Sequence, residues 1–103
     1  MKYVVDIDGT ICTTEGSDYP NSKPIVERIE YINKLFDEGH EIEYNTARGM
    51  SSGKDWQDLT IRQLMSWGVK FNVVTFGKSS YDVWIDDKAR NSEEFFSEVD
   101  NRT

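Results

Sequence analysis

The chain has 103 residues, enough for one domain (1–103) with a single core and too few for two. Its formal net charge of -7 argues against a broad nucleic-acid or anionic-membrane surface, while leaving room for a local basic pocket that holds one phosphate. No apolar stretch approaches the roughly 20 residues of a membrane span, no basic region followed by a hydrophobic segment opens the chain, and Cys12 lacks an intrachain disulfide partner; a soluble, cytoplasmic protein is expected. Residues 2 to 8 predict a first strand, in which Tyr3-Val4-Val5 runs into Asp6-Ile7-Asp8-Gly9-Thr10. A small polar loop over 13–22 follows and is expected to be mobile. Ser22 is then placed to cap a helix with Pro24 in its first turn; Ile25, Ile29, Ile32 and Phe36 recur at helical spacing until Gly39. His40 to Thr46 alternates polar and apolar residues as a strand does, and carries Thr46-Ala47-Arg48 at its end. Beyond a turn over Gly49 to Gly53, a helix is predicted from about Asp55 to Trp67, stopping at Gly68. A third strand near Lys70 to Thr75 leads to Gly77-Lys78, a fourth covers 81–85 and ends at Asp86-Asp87, and Ser92 opens a last helix holding Phe95, Phe96 and Val99.

Strands alternating with helices predict an α/β fold: a Rossmann-like, doubly wound parallel sheet in three α/β/α layers. In such sheets chemistry gathers beyond the carboxyl ends of the strands. Asp6, Asp8, Thr46, Arg48, Lys78, Asp86 and Asp87 all fall at or just after predicted strand ends. Because side chains alternate along a strand, Asp6 and Asp8 emerge together while Ile7 turns into the core. Four clustered carboxylates would repel one another, and a hard divalent cation that prefers oxygen ligands, magnesium, relieves that. Asp6 and Asp86 read as direct ligands, with Asp87 a second ligand or an outer-shell partner.

The same set meets the needs of phosphoryl transfer. Asp6 can attack phosphorus and form an aspartyl phosphate once a cation offsets the substrate's charge. Asp8 is placed to protonate the leaving oxygen and later to activate water. Thr46 and Lys78 would hold the transferred phosphate, and Lys78 would also stabilise ionised Asp6. Arg48 reads equally as a phosphate or substrate contact and as a surface ion pair. Trp56 and Trp67, at helical spacing, read as core or rim packing ahead of the alternative, a sugar platform, and Cys12 reads as packing. Gly77-Lys78-Ser79 is not a nucleotide-binding P-loop, since the pattern's first glycine would fall on Asn72 and no helix follows.

In this order, Asp6-Ile7-Asp8-Gly9-Thr10, Thr46, Lys78 and Asp86-Asp87 resemble the four motifs of the haloacid dehalogenase superfamily of phosphohydrolases. The resemblance implies that Asp6 is the nucleophile, Asp8 the acid/base, the main-chain carbonyl of Asp8 a magnesium ligand together with Asp86, and that Gly9, Thr10, Thr46, Arg48 and Lys78 bind substrate. It also implies a phosphate monoester as substrate. Asp at position 8 matches the phosphatase branch rather than the ion-pumping one. Neither interval where relatives carry a cap domain has room for it, so a small capless type is expected, its site open unless a neighbouring subunit or the 13–22 loop covers it. The strings Thr46-Ala47-Arg48-Gly49-Met50, Phe76-Gly77-Lys78 and Ile85-Asp86-Asp87-Lys88-Ala89 look like small proteins of capsule and surface-polysaccharide biosynthesis, which implies a sugar phosphate. Two other readings stand beside this: a phosphoacceptor signalling domain of the receiver type, and a non-catalytic module that binds metal or phosphosugar.

Overall fold

A computed structural model describes residues 1–50, 52–77, 83 and 88–100. Strand β1 spans Lys2–Asp6. Two short strands, β2 at Cys12–Thr13 and β3 at Lys23–Pro24, pair antiparallel around a 3-10 turn at Tyr19–Asn21. Then come helix α1 at Val26–Asp37, strand β4 at Glu41–Thr46, helix α2 at Gln57–Ser66 and strand β5 at Val73–Phe76. Two single-turn helices follow, α3 at Ser92–Phe95 and α4 at Ser97–Asp100.

The fold is α/β. Strands β1, β4 and β5 form a parallel sheet in that order, in a register that sets Val5 beside Tyr44, Asp6 beside Asn45 and Thr46 beside Phe76. Alternation along the strands then sorts the side chains. Val5, Ile42 and Tyr44 are buried, whereas Val4 and Glu41, each one residue before a buried one, are exposed. The buried set meets Ile29 and Ile32 of α1, Leu64 of α2, and Phe96 and Val99 from the C-terminal turns, in one core. Each such side chain contributes about 1.5–3 kcal/mol by leaving water. Asn33 of α1 joins its own layer to the end of α2, its Oδ1 accepting the Lys70 N–H and its Nδ2 donating to the Gly68 carbonyl. Among the described residues, therefore, all the helices gather on one face of the sheet. The opposite face carries polar pairs beside the exposed Val4 and Val73: Lys2 pairs with Glu41 and Glu43, Thr75 donates to Glu43 at 3.0 Å, and Asn45 donates to Thr75 at 2.7 Å.

Several expected boundaries move. Helix α1 begins at Val26 without a side-chain cap, because the Ile25 N–H is spent on the Ile11 carbonyl and Pro24 lies in β3. Ser22 bonds the Thr14 hydroxyl instead of capping. The third strand starts at Val73 rather than Lys70, whose ammonium reaches Asp37 at the end of α1. The last helix is two turns rather than one run, and its cap is Asn91, whose Oδ1 accepts the Glu93 and Glu94 N–H groups. The strand expected over 81–85 lies outside the described residues.

Candidate functional site

The three parallel strands end together at Asp6, Thr46 and Phe76, so their carboxyl ends form one edge of the sheet. The chain after Asp6 coils tightly. The Ile7 carbonyl accepts the N–H groups of Thr10 and Ile11, Gly9 donates to the Cys12 carbonyl, and Gly9 takes a φ of +82° that a residue with a Cβ rarely adopts. Ile7 is fully buried and Asp6 and Asp8 are half-buried on either side of it, as the alternation requires. The Thr10 carbonyl accepts from the buried Arg28.

Asp8 lies in a clamp. Arg48, whose side chain is 0% exposed, donates Nε to Asp8 Oδ2 at 2.9 Å and Nη2 to Asp8 Oδ1 at 2.8 Å. The other guanidinium edge donates to Thr60 Oγ1 at 3.0 Å and Gln63 Oε1 at 2.7 Å, on successive turns of α2. Tyr19 covers the guanidinium at 4.6 Å. Thr14 adds a third donor to Asp8, at 2.6 Å. Burial alone would raise the Asp8 carboxyl, but the hydrogen bonds and charge of Arg48, with that of Thr14, outweigh it and hold the group below the ordinary carboxylate value, hence ionised at neutral pH. Arg48 is thus a buried, bidentate partner of Asp8 and not a surface ion pair.

These contacts also pin the 13–22 loop, which the sequence reads as mobile: Thr14 to Asp8 and Ser22, Tyr19 on Arg48, and the Tyr19 carbonyl accepting from Gln63. Thr46 is buried, and its hydroxyl accepts the Arg48 N–H at 3.1 Å, fixing the turn that sends Arg48 back toward Asp8. The Gly77 N–H donates to the Thr46 carbonyl, which carries the edge as far as the residue before Lys78. Lys78, Asp86 and Asp87 themselves lie outside the described residues. Cys12 is buried with its thiol pushed up to about 11 by desolvation, which suits packing and not nucleophilic attack.

Thr14, Tyr19, Thr60 and Gln63 were not legible as site residues. The one signal for the last two is local: Thr60 and Gln63 are polar groups beside Leu64 on the buried face of α2, and buried polar groups need partners. As a magnesium donor set, the described part offers hard oxygens alone. Asp6 and Asp8 are side chains of the kind such a set would use, both Asp8 carboxylate oxygens accept from Arg48, and among the described residues no group of three or more His, Cys, Asp or Glu is placed to hold a metal.

Beside the edge opens a cavity of about 300 Å³, walled by Arg48, Met50, Lys54, Trp56, Phe76 and Gly77. Gly49 shapes it: its φ is +87°, and a Cβ there would strike the Lys54 carbonyl.

No family model matches the chain, and no curated protein matches it. Among solved structures, the chain is similar to the crystal structure of an MCSG target from Vibrio cholerae, with a TM-score of 0.83 and 27% identity over 97% of this chain and 94% of that one.

Proposed function

We propose that the protein is a magnesium-dependent phosphatase of the haloacid dehalogenase kind, hydrolysing a phosphate monoester such as a sugar phosphate through an aspartyl phosphate on Asp6. The reading includes a Rossmann-like sheet without a cap domain. What carries it is the common edge where Asp6, Thr46 and Phe76 end three parallel strands and Asp8 is fixed by Arg48. The three-layer form of the fold rests on the alternation of strands and helices along the chain; the helices described lie on one face.

In this mechanism the Asp6 carboxylate attacks phosphorus, an Asp6 O–P bond forms and the bond to the leaving oxygen breaks. Water then attacks the same phosphorus and releases Asp6, its proton passing to Asp8. The Arg48 clamp keeps Asp8 ionised and so ready for that second step. Protonating the leaving oxygen in the first step requires Asp8 to take up a proton against the same clamp. Thr46 accepts from Arg48 and keeps its own hydroxyl hydrogen to donate to a phosphate oxygen. Magnesium, held by Asp6, the Asp8 carbonyl and Asp86, with Asp87 near it, would offset the negative charge of phosphate and nucleophile.

The test is hydrolysis of p-nitrophenyl phosphate with magnesium. Chelator or Asp6→Asn is expected to abolish it; full activity in Asp6→Asn ends the proposal. A long-lived aspartyl phosphate without turnover would point instead to a phosphoacceptor domain, and calorimetric binding of a phosphosugar without turnover to a binding module.

A further inference from the structure

We infer that the cavity between Gly49–Met50, Lys54–Gln57 and Phe76–Gly77 is the leaving-group subsite of this phosphatase, and that it takes the ring of a single phosphorylated monosaccharide, stacked on Trp56. The inference rests on the phosphatase reading and adds to it the residues that choose the substrate. Position comes first. The cavity shares Arg48 and Gly77 with the reacting edge: Arg48 holds Asp8, and Gly77 is bonded to Thr46. A group esterified to a phosphate at that edge has this hollow beside it.

Size comes next. The hollow, about 300 Å³ and largely open to solvent, has room for one sugar ring.

The walls decide the chemistry. Trp56 is half-buried and braced by Tyr19, edge-on at 5.1 Å, and a Cβ added at Gly49 would lie 3.5 Å from its Cδ1. Tyr19 in turn lies on Arg48, so a contact chain Asp8–Arg48–Tyr19–Trp56 fixes the indole relative to the acid/base. On the indole sits the ammonium of Lys54, 4.5 Å from the ring centroid. Lys54 is exposed and flexible, and its contact with the ring is weak in water, so an incoming ring can displace it to the rim, where it meets the substrate's negative charge. Asp55 and Gln57 complete the lining. One Asp55 oxygen accepts the Gln57 N–H, leaving the second as an acceptor, and the Gln57 amide supplies both donor and acceptor. Hydroxyl groups, each donor and acceptor at once, match such a mixed set, and the C–H face of a sugar matches the indole.

The experiment compares wild type, Trp56→Ala and Trp56→Phe on glucose 6-phosphate, glucose 1-phosphate, ribose 5-phosphate, uridine 5′-monophosphate and methyl phosphate, each with magnesium. Saturation-transfer NMR with methyl glucoside reads the subsite without turnover, and circular dichroism checks that the variants are folded. Wild type is expected to prefer at least one sugar phosphate over methyl phosphate. Trp56→Ala should erode that preference about tenfold, through KM, as loss of one ring contact would, with Trp56→Phe restoring most of it. Saturation transfer to methyl glucoside should vanish in Trp56→Ala. Equal losses on all substrates, no preference in wild type, or strongest turnover of the uridine ester overturn the subsite. If wild type hydrolyses nothing, the phosphatase reading falls, and the glucoside signal alone decides: its presence in wild type and loss in Trp56→Ala keeps the sugar site, its absence in wild type overturns it.

Discussion

Arg48 makes the largest demand of any one side chain. Its guanidinium is buried and meets Asp8, Thr60 and Gln63, partners 40, 12 and 15 positions away. Replacing it with Met leaves Asp8 unpaired in a half-buried site and strips Thr60 and Gln63 of their donor. Breaking such a pair costs about 3 kcal/mol. Urea unfolding should show the Arg48→Met midpoint falling accordingly, and an unchanged midpoint would mean that the clamp contributes nothing to stability. From sequence, Arg48 reads as a substrate contact or a surface pair, because nothing within a few residues of it names a partner. Asp6 and Asp8 were legible: a strand ending in Asp-x-Asp-Gly states its own geometry, and Ile7, buried between them, bears that out.

At the scale of elements, Arg28 ties three of them. From α1 it donates to the Thr10 carbonyl after β1 and, bidentate, to Asp100 at the end of α4, while lying over Phe96 at 4.8 Å. The hydrogen bond from Arg28, with its charge, holds the Asp100 carboxyl below its ordinary value of 3.8. Such a group binds its proton more readily once unfolded, so its stabilisation is complete above that value and is lost as pH falls through the lower folded one. Acid titration followed by near-ultraviolet circular dichroism of the aromatic cluster at Tyr31, Phe95 and Phe96 should therefore show α4 loosening at low pH. Asp100→Asn should loosen it already at neutral pH and flatten the acid response; an unaltered acid curve would contradict the tether. The helices α1 and α2 were legible from spacing. The start of α1 was not, since the Ile25 N–H is claimed by the Ile11 carbonyl, a partner in another part of the chain.

Over the whole molecule, a chain of net charge -7 has Asp6 at the carboxyl edge of its sheet and Asp8 two residues beyond it. A cation that binds the folded form and not the unfolded one stabilises by mass action. Excess magnesium should raise the thermal midpoint, chelator should return it, and Asp6→Asn should shrink the rise; a midpoint indifferent to magnesium would count against the metal site. Short-range pattern by itself determined much: alternation over 41–46 marked a strand with one dry face, helical spacing marked α1 and α2, and the Asp6-to-Thr10 string marked where β1 ends. Only the tertiary structure decided that Arg48 grips Asp8, that Tyr19 and Thr14 hold the loop down, and that Trp56 walls a cavity. The reason is physical: strand and helix periods are set by neighbours two to four residues apart, whereas a buried hydrogen-bond network is satisfied by whichever distant groups the packed core brings within about 3 Å.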